Sequence, residues 1–124
     1  MGIKVILDSV IIIDHLNNID DATQFILNNY SLCHITPITR AEVLAGASVQ
    51  KFAIVQRLLD TFMLAPLTEA ITDHAAQLRQ QYHWKLPDAF QASTAIINQH
   101  SLVTRNTKDF CPKQHDFVVI PYRL

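Results

Sequence analysis

Four acids, Asp8, Glu42, Asp88 and Asp109, lie far apart in the chain, and the local pattern around each one places it at the same edge of one sheet. No matching set of Arg or His accompanies them there. If the carboxylates stand about 5 Å apart, each ionised pair repels by roughly 3 kcal/mol at an effective dielectric near 20. Several such pairs rival the whole stability of a small domain. A gathering of this kind either holds a cation or keeps some carboxyls protonated, and both outcomes mark a functional site. The donors at this edge are all oxygen, which suits Mg²⁺ or Mn²⁺ and disfavours zinc. The chemistry indicated is metal-assisted reaction at a phosphate ester.

Each acid also has an ordinary structural role open to it. Asp88 with Gln91, and Thr39 with Glu42, fit capping boxes. Asp8 fits a loop acid at a strand end, and Asp109 a turn residue. Capping does not exclude metal binding, and the argument for a site rests on the four together.

The elements that must position these residues can be read from apolar runs and their punctuation. Ile3 to Leu7 is a β-branched run that stops at Asp8 and Ser9, a buried strand ending at a polar edge. Ile11 to Leu16 begins a helix, and Asp20 or Asp21 caps a second, with Ala22, Phe25 and Ile26 on one face. Ser31 to Ile35 is a second strand, after which Thr36 is an N-cap, Pro37 a first helical residue and Gly46 a stop. Phe52, Val55, Leu59 and Phe62 mark another helix, Met63 to Ala65 a third strand, and Thr68 caps a helix carrying Ile71, Ala75, Leu78 and Tyr82. The next helix is expected to start at Asp88, to be apolar nearly all round, and to be the most buried. Ser101 to Thr104 and Phe117 to Ile120 complete a set of about five strands.

Apolar strands alternating with helices predict an α/β fold, a mostly parallel sheet covered on both faces. In such a sheet the site lies beyond the carboxyl ends of the strands. Asp8 and Asp109 follow the first and fourth strands. Helical side chains tilt back toward their own N-terminus, which brings Glu42 to that edge, and the helix opened by Asp88 starts there.

The composition bounds the class. At 124 residues, with 49% apolar and 17% charged residues, the chain reads as one domain, 1–124, able to bury about two thirds of its unfolded surface. Cys33 and Cys111 are isolated, which argues for a reducing compartment, and no apolar run approaches a membrane span. Asp8 interrupts the one segment resembling a signal peptide, so the expected location is cytoplasmic. Net charge is −1, so any contact with nucleic acid must be local. Arg40, Lys85, Arg105 and Lys108 fall close in sequence to the acids and are candidates for drawing in a phosphate backbone; the alternative for each is an ordinary surface charge. The six histidines show no pair at ligand spacing. With two glycines neither a P-loop nor a dinucleotide fingerprint is possible, and there is no G-x-S-x-G elbow.

The segments IKVILDSVIIIDHL (3–16), TRAEVLAG (39–46), KLPDAFQASTA (85–95) and LVTRNTKDF (102–110), with the terminal VVIPY (118–122), resemble the successive blocks of a PIN domain. They are most similar to the VapC-type toxin ribonucleases of bacterial and archaeal toxin–antitoxin pairs. The resemblance implies a three-layer α/β/α fold and Mg²⁺- or Mn²⁺-dependent endonuclease activity on RNA. Carried over by motif, Asp8, Glu42, Asp88 and Asp109 are the acidic set, with Asp8 and Asp88 the first choices as direct ligands. Ser9, Thr104 and Asn106 match supporting polar residues. Val10 departs from the polar residue often found at its position, which removes one supporting hydrogen bond but no ligand. Asp14 matches a recurrent acid whose place inside a helix favours a structural role. The resemblance further implies a homodimer and a VapB-like antitoxin that lays a segment across the acidic groove.

The reaction expected is hydrolysis of an RNA phosphodiester by a metal-activated water. No aromatic platform is evident in the sequence, so base selectivity is not readable. A phospho-accepting signalling domain would need an acceptor Asp after the third strand, where the chain reads Ala65, Pro66, Leu67, Thr68. A non-catalytic PIN-like interaction module has little reason to keep mutually repelling acids.

Overall fold

In the computed structural model, which describes residues 2–124, five parallel strands form one sheet in the order β3-β2-β1-β4-β5. They are β1 (Val5–Leu7), β2 (Cys33–Ile35), β3 (Met63–Leu64), β4 (Ser101–Val103) and β5 (Val118–Val119). The helices are α1 (Ser9–Leu16), α2 (Asp20–Asn28), α3 (Pro37–Ala45), α4 (Phe52–Asp60), α5 (Glu69–Tyr82) and α6 (Leu86–Asn98), with one 3₁₀ turn at Tyr30–Leu32. No described helix is long and apolar enough to cross a membrane.

The three layers follow from the two-residue period of the strands. Val5 and Leu7 of β1, with Val103 of β4, point to one face and pack with Ile11, Ile12, Ile26, Val43, Val55 and Leu59 from α1 to α4. Ile6 and Leu102 point to the other face and meet Ala75, Leu78, Ala89, Ala92 and Ala95 of α5 and α6. The alanines at three-residue intervals let α6 lie close against the sheet. The α6 surface is therefore not apolar all round. It buries its small and polar residues, Gln91, Ser93 and Thr94 among them, and leaves Ile96 and Ile97 36% and 41% exposed. The buried Ser93 hydroxyl is satisfied by Ile71 O at 2.8 Å and His74 Nδ1 at 2.9 Å, and that of Thr94 by Phe90 O at 2.8 Å.

The strands are each one or two residues shorter than the sequence reading, and three helix starts differ from it. α1 begins at Ser9, because the Asp8 side chain accepts from Ser9 N and ends the strand directly at a helix. α6 begins two residues before Asp88, since Pro87 presets its first turn. At α2 neither Asp20 nor Asp21 is the cap; Ile19 occupies that position and both acids lie in the first helical turn, where they favour the dipole. Thr36 and Thr68 cap α3 and α5 as expected, by accepting from Thr39 N and Ile71 N.

β1 pairs with β4 in register, and the ladder continues one residue further, with Asp8 N donating to Val103 O at 2.9 Å. This sets Asp8 beside Thr104 at the carboxyl ends of the two central strands. β3 is an edge strand, and the loop that follows it, Ala65 to Thr68, carries no carboxylate.

α6 ends on Gln99 in the left-handed region, φ 57° and ψ 39°, a conformation that glycine adopts without the clash a side chain brings. Replacing Gln99 by Gly is expected to stabilise the protein by about 0.5–1 kcal/mol, read as a rise of a few degrees in thermal midpoint. An unchanged or lower midpoint would show that the left-handed turn costs this chain nothing.

Candidate active site

Asp8 is the most constrained of the four acids. It is 6% exposed, and a buried carboxylate must have its oxygens satisfied. One oxygen accepts from Ser9 N at 2.9 Å and from Gln91 Nε2 at 3.4 Å, and the other from the Thr104 hydroxyl at 2.7 Å. Thr104 in turn accepts from Asn106 N at 3.0 Å. Asn106 grips Asp109 from both sides, its Nδ2 donating to Asp109 Oδ2 at 3.1 Å and its Oδ1 accepting from Asp109 N at 3.2 Å. Asp8 and Asp109 are thus joined through Thr104 and Asn106. Beyond them, Phe110 is fully buried and anchors the loop.

Gln91 is the residue that sequence reasoning placed wrongly. It is not the capping partner of Asp88; it is 1% exposed and binds three elements together. Its Nε2 donates to the Thr39 hydroxyl at 2.6 Å as well as to Asp8, and its Oε1 accepts from the Thr36 hydroxyl at 2.6 Å. Thr39 donates to Leu7 O at 2.9 Å, which commits its proton and leaves its oxygen to accept from Gln91. Thr39 is therefore not a cap for Glu42 but part of the same buried network. The available signal was position: Gln91 shares the inward face of α6 with Asp88, Ala92 and Ala95, where a solvated glutamine does not belong.

Asp88 stands in the first turn of α6 and feels all three other acids. Its pKa is pushed up to about 6, first by burial and then by the charges of Asp8, Asp109 and Glu42, with Lys85 pulling it back. Glu42, on the exposed side of α3, also titrates above its ordinary value: partial desolvation raises it, the Ser9 hydroxyl pulls the other way, and Asp8 adds to the rise. The four acids therefore share one electrostatic neighbourhood. They do not make a closed cage, because among the described residues no three His, Cys, Asp or Glu stand together closely enough to enclose an ion directly. An open edge of oxygen donors with excess negative charge fits Mg²⁺, which keeps much of its water and takes one or two carboxylates.

The basic candidates divide into two kinds. Arg105 turns away from the edge: its Nε and Nη2 donate to Asp14 at 2.6 and 2.9 Å, and Tyr122 donates to the same carboxylate at 2.7 Å. Hydrogen bonding by Arg105 holds Asp14 below the usual carboxylate range despite its burial. Asp14 thereby fastens the loop after β4 and the C-terminal segment to α1. Arg40 pairs with Asp60 at 2.8 Å on the surface, a contact that contributes little. Lys85 and Lys108 make no ion pair within 4.0 Å among the described residues.

A family model for the PIN domain matches residues 5–113. The chain belongs to the PIN-domain family. Among solved structures this PIN domain is similar to a chain of a toxin–antitoxin complex from Klebsiella pneumoniae, 32% identical, covering 98% of this chain and 100% of that one, with a TM-score of 0.87. It shares its fold with chains of DNA-bound VapBC from Salmonella typhimurium (21% identity, 88% and 91% coverage, TM-score 0.76) and of FitAcB from Neisseria gonorrhoeae (22%, 97% and 99%, 0.76). Comparison with curated proteins gives no match.

Two outcomes follow from the PIN-domain geometry. Replacing Gln91 by Leu strands the Thr36 hydroxyl and deprives Asp8 of a donor, and is expected to cost roughly 2–4 kcal/mol in denaturant unfolding; a loss under about 0.5 kcal/mol would show that the network carries no stability. For Asp88, both folded and unfolded states are protonated below its ordinary 3.8, while above about 6 the folded state bears the full charge penalty. Asp88→Asn should therefore raise the thermal midpoint of EDTA-treated protein at pH 7.5 and give no gain at pH 3.5. A gain independent of pH would mean that neither burial nor the other acids penalise the charged form of Asp88 in the folded protein.

Proposed function

We propose that this PIN domain is a divalent-metal-dependent endoribonuclease and the toxin of a toxin–antitoxin pair. The observation that carries the nuclease reading is the gathering of carboxylates at the carboxyl edge of a parallel sheet: Asp8 and Asp109 are joined through Thr104 and Asn106, and the partly buried Asp88 feels the other three acids, offset only in part by Lys85. The toxin reading is supported by the full-length similarity to a chain found in a toxin–antitoxin complex.

In this proposal the four acids would hold the ion, with Asp8 and Asp88 as its direct ligands and Glu42 and Asp109 supporting them. Mg²⁺ or Mn²⁺ would supply acidification of a water and neutralisation of charge on the phosphoryl oxygens. The chain's own contribution is position. Ser9 N, Thr104 and Gln91 fix the orientation of Asp8 before any ligand arrives, and Asn106 does the same for Asp109. Preorganised groups need not reorient during the reaction. Lys85 and Lys108 are the cations free to meet the phosphate backbone, whereas Arg105 serves the Asp14 clamp and Arg40 lies in a surface pair.

In the same proposal the antitoxin takes an apolar seat as well as the acidic edge. A groove of about 610 Å³ runs between α1, α3 and α4, lined in part by Ile13, Leu16, Val43, Ala47, Ile54 and Val55. Ile54 is 63% exposed there. We assign this groove to the apolar anchors of a VapB-like segment, and include in the proposal the homodimer and the cytoplasmic setting that the resemblance implies.

RNA cleavage with Mg²⁺ or Mn²⁺ checks the reading, with EDTA as control. Asp8→Asn and Asp88→Asn should each lower the rate at least about a hundredfold, a loss of roughly 3 kcal/mol of transition-state stabilisation. Cleavage that survives both substitutions would remove the site assignment.

A further inference from the structure

We propose that Tyr82, backed by Trp84, forms a stacking platform for one unpaired nucleobase of the RNA, beside the acidic edge. The proposal rests on the ribonuclease reading and supplies it with a base-binding site.

The platform is built by a sharp turn. α5 ends at Tyr82, and His83 takes the left-handed conformation, φ 62° and ψ 23°. Its N–H bonds back to Arg79 O at 2.8 Å, and the Arg79 guanidinium donates to Trp84 O at 2.6 Å. The reversal folds Trp84 against Tyr82, with ring centroids 4.5 Å apart and planes 14° from parallel. Trp84 is 5% exposed and rests edge-on against the fully buried Phe110 at 4.8 Å. Tyr82 is therefore the outer member of a fixed stack, and it is 40% exposed.

The inner face of Tyr82 lies on Trp84, and His115 does not cover the outer one. His115 is 5.1 Å from the Tyr82 centroid and 5.2 Å from that of Trp84. A ring lying on the outer face of Tyr82 would be about twice as far from Trp84 as from Tyr82. Equal distances put His115 beside the stack, and no other described aromatic ring meets Tyr82. A tyrosine 40% exposed, with no described ring on its outer face and a rigid support behind it, offers the π-face that an unstacked base of any identity can use.

Chain connectivity ties this face to the reaction edge. Lys85 follows Trp84 directly, and Asp88 lies in the first turn of the helix that begins one residue later. Phe110, the support of Trp84, follows Asp109 directly. The proposal therefore places on Tyr82 a base neighbouring the phosphate that meets Asp88 and Asp109. Without the platform, an exposed stacked tyrosine at this point has only a packing role.

The test is binding of a short single-stranded RNA, with Ca²⁺ in place of Mg²⁺ to neutralise the acidic edge, and with an abasic site walked along the oligonucleotide. Wild type and Tyr82→Phe should lose about tenfold in affinity when one particular position is abasic. Tyr82→Leu, which keeps apolar bulk, and Tyr82→Ala should bind the intact strand as weakly as wild type binds that abasic one, and be insensitive to the substitution. Emission of the single tryptophan and thermal midpoints establish that each variant is folded; if Tyr82→Ala is not, Tyr82→Leu decides. Variants that keep wild-type affinity, or the same abasic position, overturn the platform. Cleavage by wild type with Mn²⁺ is read separately: an active enzyme with unaltered variants sinks the platform alone, and an intact platform on a protein that never cleaves sinks the ribonuclease reading alone.

Discussion

A carboxylate that is 6% exposed at the end of a central strand imposes the main constraint on this molecule. Asp8 cannot be left without donors in that setting, and the donors it finds come from α1, α6 and the residue after β4. Satisfying one side chain therefore fixes how both helical layers approach the sheet. The continued β1–β4 ladder through Asp8 N makes the arrangement a consequence of strand pairing, not of loop conformation.

From that point the site spreads along hydrogen bonds. Thr104 passes the constraint to Asn106 and Asn106 to Asp109, while Gln91 carries it to Thr36 and Thr39 at the start of α3. Asp88 and Glu42 lie outside that chain of bonds, Glu42 meeting only the Ser9 hydroxyl, and their pKa values rise. The edge combines two acids set by a network with two whose charge is left for a ligand to balance. Asp14 works on the opposite principle: paired with Arg105 and Tyr122, it is stabilised in its charged form and serves as a fastener.

Positions of acids relative to strand ends were legible because a parallel sheet sends every strand's carboxyl end to one side. The block around Asp8 is a β-branched run stopped by a polar pair, and nothing but a strand ending at the edge fits it. The caps at Thr36 and Thr68 were legible for a similar reason, being local contacts between residues three apart. Gln91 was misread for the converse reason. Its spacing from Asp88 fits a local capping box, whereas its actual partners lie 52 to 83 residues away in sequence. The stack of Tyr82 on Trp84 escaped as well, because two aromatics two residues apart face each other only after a left-handed residue between them.

The sequence by itself determined the layered α/β architecture, the side of the sheet on which the acids lie, and the family to which the chain belongs. These depend on periodicity, punctuation and short motifs, which are properties of neighbouring residues. Tertiary structure alone decided which oxygens are tethered, which carboxyl resists ionisation, which basic residues are already engaged, and which aromatic face is open. Those depend on distances between segments remote in the chain, where a few ångströms separate a hydrogen bond from a solvated charge.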